Sequence, residues 1–125
     1  MTARGGGYVP GRHRIEEYGG GGFRFADMSH RGSILALPSG VRAVPLTNAA
    51  EIDEAVIDDA LAESGGLDLF VVGTGQDLLP LAGALRAKLR AAGVGCETMA
   101  TGAAVRTYNM LVDEDRRVGA LLIAV

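Results

Sequence analysis

The sequence predicts an α/β fold: an N-terminal β-hairpin layer, then helices and strands alternating as α-β-α-β-α-β to build a largely parallel sheet with helices packed on it. Three observations predict it. Two short apolar runs, residues 33–37 and 41–44, flank Pro38-Ser39-Gly40, whose residue types set turn dihedrals. From residue 48 onward, helical and strand-length apolar patterns take turns, as βαβ units require. The 125 residues are 48% hydrophobic and 22% charged, which suits a single globular domain.

The elements follow in order. Residues 1–17 hold Gly5-Gly6-Gly7, Pro10-Gly11 and Arg12-His13-Arg14 without apolar periodicity, so they are expected to be a flexible N-terminus, with 18–125 as the one domain. They lack the apolar segment and cleavage site of a signal peptide. Their arginines suit a mitochondrial presequence, but their glycines and Pro10 oppose its amphipathic helix, so a bacterial cytoplasmic location is expected. Phe23 and Phe25 alternate with Arg24 at the period of a half-buried strand. A first helix is expected from Asn48, with Glu51 completing a capping box; Ile52, Val56, Ile57, Ala60 and Leu61 form its apolar stripe, and Gly65-Gly66 ends it. Residues 67–72 read as a strand covered on both faces. A second helix is expected to place Leu78, Leu81, Leu85 and Leu89 on one side, with Pro80 in its first turn and Gly93 as its stop. Gly95 to Met99 is a short strand, 103–112 a third helix with Ala104, Tyr108 and Leu111 in register, and 118–125 a closing buried strand.

Composition excludes several classes of function. No apolar run approaches the roughly 18 residues of a membrane span. The single Cys96 allows neither an internal disulfide framework nor a cysteine-built zinc site. A sequence pI of about 5.3 is wrong for a nucleic-acid binder. His13 and His30 are the only histidines and show no metal-ligand spacing, so no metal, cofactor or catalytic residue is assigned. Cys96 reads as an inert, buried thiol.

Two regions remain as candidate sites. Open α/β sheets bind ligands beyond the carboxyl ends of their strands. There the chain places Asn48, the loop Gly73-Thr74-Gly75-Gln76-Asp77, and Thr101, with Tyr108 and Asn109 on the following helix. Glycines admit a ligand to backbone N–H groups, yet no P-loop lysine follows and the third glycine of a dinucleotide fingerprint is missing. The loop therefore reads either as a tight turn or as a ligand crevice lined by Gly73, Thr74, Gly75, Thr101, Tyr108 and Asn109. The second region is electrostatic. No basic residue lies between Arg42 and Arg86, while eight of the 15 acids do, among them Glu51, Glu54 and Asp58. This is either a solvated helix face or a docking surface for a basic partner. The hairpin side carrying Arg24 and Arg31 is the other candidate protein-binding surface.

The ordered set Tyr18-Gly19-x-Gly21-Gly22-Phe23-Arg24-Phe25, Gly32-Ser33-Ile34-Leu35, Pro38-x-Gly40, Val72-Gly73-Thr74-Gly75, Glu97-x-Met99-x-Thr101-x-x-Ala104, Arg106-Thr107-Tyr108-Asn109-x-Leu111 and Glu114-x-Arg116-x-Val118 resembles a small family. It is a domain-of-unknown-function family of archaeal and bacterial hypothetical proteins, whose mitochondrial members are assembly factors for respiratory complex I (the third factor of the alpha subcomplex). The resemblance covers residues 15 to 125. It implies a three-layer fold around a central mixed sheet, and a non-enzymatic protein-binding or assembly role with complex I subunits or other assembly factors as partners. It implies no catalytic residue. The alternative is a small-molecule binder or enzyme using the Gly73–Asp77 crevice. Either can be a monomer or a homodimer joined through an exposed strand edge.

Overall fold

Along Ile34–Leu37, Leu69–Gly73 and Val118–Leu122, successive side chains point to opposite faces of one sheet, and this alternation divides them between two cores. Leu35, Leu37, Phe70, Val72 and Leu121 enter one core with Val56, Ile57, Leu85 and Leu89. Ile34, Ala36, Val71, Ala120 and Leu122 enter the other with Phe23, Phe25, Val105 and Tyr108. A sheet buried on both faces needs a layer on each side.

A computed structural model describes residues 7–125 and shows those layers. The strands are β1 (Tyr8–Pro10), β2 (Glu17–Gly19), β3 (Gly22–Phe25), β4 (Met28–Arg31), β5 (Ile34–Leu37), β6 (Gly40–Ala43), β7 (Leu69–Gly73), β8 (Gly95–Met99) and β9 (Val118–Leu122). The helices are α1 (Glu54–Leu61), α2 (Gly83–Ala91) and α3 (Thr101–Asp113). Six strands form the central sheet in the order β1-β6-β5-β9-β7-β8. Side chains of α1 and α2 fill the core on one face. Helix α3 and a separate three-stranded meander, β2-β3-β4, fill the core on the other.

The α/β class and the mixed three-layer sheet are as expected; the strand directions need a correction. Pairings β1–β6, β6–β5 and β5–β9 are antiparallel, and only β9–β7 and β7–β8 are parallel. Hydrophobic periodicity reports which face is buried and carries nothing about the neighbour's direction. The expected hairpin is present as β5–β6, joined by Pro38-Ser39, with Gly40 the first residue of β6 and paired with Leu37. It is not a separate layer, because β5 adds to β9 and brings the hairpin into the central sheet. The outer β layer is instead the meander that contains Phe23 and Phe25.

Three boundaries also move. Over its described part, the supposedly flexible segment through residue 17 is built in: Tyr8–Pro10 pairs with β6, and Ile15 is buried in the α3-side core. Gly5 and Gly6 of that expectation lie outside the described residues. The Asn48–Glu51 capping box forms, but it caps a single 3-10 turn, Ala49–Glu51. Ile52 then turns extended, and Asp53 starts α1 by accepting a hydrogen bond from the Val56 N–H. The second helix begins only at Gly83, since the residue before a proline avoids helical dihedrals and Pro80 follows Leu79. Leu78 and Leu79 are accordingly exposed, while Leu81, Leu85 and Leu89 are buried.

Candidate functional site

At the carboxyl ends of β7 and β8, the Gly-rich loop and the start of α3 are drawn tightly together. Gly73 leaves the sheet where an added Cβ would lie 3.0 Å from both Thr101 Cα and Ala104 Cβ, so only glycine lets α3 approach this closely. The buried Thr101 hydroxyl then does two things: it accepts the Gly75 N–H at 2.9 Å and donates to the Ile123 carbonyl at 2.7 Å. The Thr74 hydroxyl accepts the Leu79 N–H at 3.0 Å and donates to the Asp77 carbonyl at 2.6 Å. Both hydroxyls are spent on the loop itself. Asn48 accepts from the Ala50 N–H and, with Thr47, closes the cap with Glu51; it joins neither loop among the described residues.

Tyr108 and Asn109 are used in the same way, on a different segment. The Tyr108 hydroxyl donates to the His13 carbonyl at 3.0 Å, and burial pushes its pKa up to about 12. Asn109 forms a two-point clasp on one residue: its Oδ1 accepts the Ile15 N–H at 2.8 Å and its Nδ2 donates to the Ile15 carbonyl at 2.9 Å. A poor helix former stands in α3 because it supplies Ile15 with the bonds a neighbouring strand would have supplied. The six residues expected to line a crevice thus split into two groups, one locking the 73–79 loop and one locking residues 13–15.

The acidic region is largely paired by the flanking basic residues. Lys88 of α2 reaches Asp58 at 2.6 Å and Glu54 at 3.4 Å, which raises the lysine pKa chiefly through the Asp58 hydrogen bond. Asp59 faces Arg42 at 3.9 Å, Asp68 faces Arg116 at 3.9 Å, and Glu63 faces Arg117 at 4.0 Å. Glu51 accepts from the Thr47 N–H and hydroxyl and from the Asn48 N–H, which holds its carboxyl below its ordinary pKa. Apart from the nearly buried Glu63 carboxylate, which also accepts from the Ser39 hydroxyl, these pairs are exposed and add little stability individually, but they occupy the carboxylates a basic partner would need.

The open feature is the outer face of the meander. Register places Glu17 opposite Arg24, Arg24 opposite Ser29, and Gly22 opposite Arg31, so these side chains share the face turned away from Phe23 and Phe25. They line a groove of about 790 Å³. Its floor is glycine by necessity: a Cβ on Gly22 would lie 2.1 Å from the His30 carbonyl oxygen. Arg24 is held by Glu16 at 3.3 Å and reaches Ser29 at 3.4 Å, whereas Arg31 has no ion-pair partner among the described residues. Glu17, Gly22 and Ser29 escaped the sequence reading, although their alternation with Tyr18, Phe23 and Met28 was the available signal. No group of three or more His, Cys, Asp or Glu able to hold a metal occurs among the described residues. Cys96 is half-buried and free, and desolvation raises its thiol pKa, away from the reactive thiolate.

With this geometry in place, comparison with known proteins decides the family. The model of a protein of unknown function, DUF498/DUF598, matches residues 15–123. The chain belongs to that family. An uncharacterized protein of Rhodobacter capsulatus is 41% identical over 109 residues, spanning 87% of this chain and 82% of that protein. A crystal structure from Bartonella henselae, described as an outer membrane protein, is 50% identical with a TM-score of 0.87 and covers 93% of this chain and 98% of its own. A solution structure from Bordetella pertussis, described as a Mth938-like domain, is 28% identical with a TM-score of 0.76 and covers 88% and 84%. The DUF498/DUF598 match takes in the meander, the 73–79 loop and the Asn109 clasp. No helix among the described residues is long and apolar enough to cross a membrane.

Proposed function

We propose that this DUF498/DUF598 chain is a non-enzymatic protein-binding factor, acting in the bacterial cytoplasm in assembly of a respiratory complex I-like enzyme. The observation that carries the reading is the consumption of Thr74, Thr101, Tyr108 and Asn109 by internal hydrogen bonds. The residues best placed to serve a reaction are occupied in holding the fold, and the meander groove stays open. Its diagonal arginines, Arg24 and Arg31, above a glycine floor suit an acidic or carboxylate-bearing segment of a partner polypeptide. The acidic side of α1, with Glu51, Glu54 and Asp58 already engaged, is the less available surface. The family resemblance supports complex I as the target.

The reading is tested in a deletion strain of a bacterium that carries both this protein and complex I. Accumulation of subassemblies, with lowered NADH:quinone activity restored by the wild-type gene, is the expected result. Normal assembly and activity in the deletion strain contradict the reading.

A further inference from the structure

The central sheet ends at β8, so this strand has a neighbour on one side only. The Gly95 N–H donates to the Asp68 carbonyl at 3.0 Å, and the Met99 carbonyl accepts the Thr74 N–H at 2.9 Å. In the parallel register of Leu69 with Gly95 and Gly73 with Met99, Gly95, Glu97 and Met99 therefore turn their backbone groups toward β7. Cys96 and Thr98 turn theirs outward, where no described residue bonds them. Such free N–H and C=O groups are a template for another strand, and β8 carries no proline, lysine or bulge to blunt it.

Charges on the two faces beside this edge define the strand that fits. Cys96 packs with the α1–α2 core and Met99 with the α3 core, so alternation puts Glu97 on the α3 face. On the other face, Lys88 of α2 points to Asp58 and Glu54 of α1. Arg86 and Arg90, one turn apart, lie on the opposite flank of that helix, where it packs on β8. Glu97, Arg86 and Arg90 are all exposed and have no ion-pair partner among the described residues. A second copy pairing β8 with β8 about a two-fold axis keeps like faces together. It would set these arginines against their equivalents, which like-charge repulsion disfavours. At the carboxyl end of the edge the surface turns apolar. The Thr74 hydroxyl, 3.3 Å from the Met99 carbonyl, accepts the Leu79 N–H at 3.0 Å and fixes the exposed Leu78 and Leu79 there.

We propose that the outer edge of β8 takes up an extended segment of a partner protein as a seventh strand, with acidic side chains on its α2 face and a basic one opposite Glu97. Main-chain bonds to Cys96 and Thr98 supply the affinity, and the alternating charges supply the selectivity. No residue of the groove that Arg24 and Arg31 line takes part, so the two surfaces are tested apart.

The probe is the peptide acetyl-Val-Glu-Thr-Glu-Lys-Glu-Thr-Glu-Val-amide, titrated into the ¹⁵N-labelled full chain. Saturable shifts are expected along Gly95–Met99. Hydrogen exchange should slow at the Cys96 and Thr98 amides, which are unprotected in the free chain. It should stay unchanged at Glu97 and Met99, which already bond to β7. N-methylation of every second peptide residue should abolish binding in one phase and spare it in the other, because a strand turns alternate amides to its neighbour. A peptide with each Glu exchanged for Lys, and the Lys for Glu, should bind more weakly. The double substitution Arg86→Glu/Arg90→Glu should weaken the original peptide about three- to tenfold. Exchange is read on the unmutated chain, so the proposal does not depend on that variant folding. Cys96 and Thr98 amides already protected in the free chain, shifts centred on Arg24 and Arg31, equal binding of the charge-exchanged peptide, the same result in both methylated phases, or no saturation in the millimolar range would overturn it.

Discussion

Thr101→Val removes a hydroxyl while preserving the shape of the side chain. Thr101 is fully buried, and its Oγ1 is the shared partner of the Gly75 N–H and the Ile123 carbonyl. Valine leaves both groups without that partner, where water does not reach the hydroxyl they lost. At about 1–3 kcal/mol for each of the two unsatisfied groups, the variant should lose about 2–6 kcal/mol of stability. Proteins of this size are stable by roughly 0.05–0.15 kcal/mol per residue, so the loss is a sizeable fraction of the total. Urea unfolding followed by far-UV circular dichroism measures it. With a slope of about 1–3 kcal/mol/M, a loss near 3 kcal/mol lowers the midpoint by about 1–3 M. Thr101→Ser keeps the hydroxyl and should recover most of the difference. A valine variant within about 0.5 kcal/mol of the wild type would refute the reasoning, because it would leave the hydroxyl free for some other purpose.

Other outcomes follow from the same structure. Asn109→Leu should destabilise by about 1–3 kcal/mol and accelerate hydrogen exchange at the Ile15 amide, since both backbone groups of Ile15 lose their partner; unchanged exchange at Ile15 would count against the clasp. Tyr108 has a folded pKa raised from 10 to about 12, so its contribution is complete below pH 10 and disappears as pH rises through 12. Denaturation between pH 9 and 12 should show a loss of roughly 2–3 kcal/mol that Tyr108→Phe largely removes. Ala26 and Asp27, the two residues joining β3 to β4, both have left-handed dihedrals, with φ of 51° and 59°. Asp27→Gly should therefore raise stability by about 0.5–1 kcal/mol in the same urea assay; a lower midpoint would show that its side chain contributes something else.

Much of the central sheet was legible because burial on two faces writes itself into the chain. Ile34–Leu37, Leu69–Gly73 and Val118–Leu122 are continuous apolar runs with two cores to fill, and Leu85 and Leu89 sit at helical spacing. Direction was not legible. Whether β5 meets β9 head-to-tail depends on contacts more than 80 residues apart in sequence, which no local pattern encodes. The N-terminal segment is hard to read for a related reason. Tyr8-Val9-Pro10 looks like a loop, and Ile15 is a lone apolar residue, until Arg42 and Asn109 are brought alongside. Asn109 is legible as an anomaly, a poor helix former inside a helix, but its partner Ile15 lies far away in sequence and no local pattern points to it. The turn between β3 and β4 was hidden because Ala26-Asp27 lacks the glycine or asparagine that normally marks left-handed dihedrals. The candidate crevice at Gly73–Asp77 was placed at the right edge of the sheet, but whether a hydroxyl there faces a ligand or the backbone is a matter of ångströms that the sequence does not contain.

The most direct test of an open binding surface over a closed, structural loop is affinity purification from the native bacterium at low salt. Tagged wild-type protein, Thr101→Ser, and the doubly substituted Arg24→Ser/Arg31→Ser are compared, with urea midpoints confirming that all three fold. Complex I subunits should co-purify with the wild type and Thr101→Ser and be lost with the double arginine variant. Equal recovery from all three, or no complex I subunit in any, would contradict it.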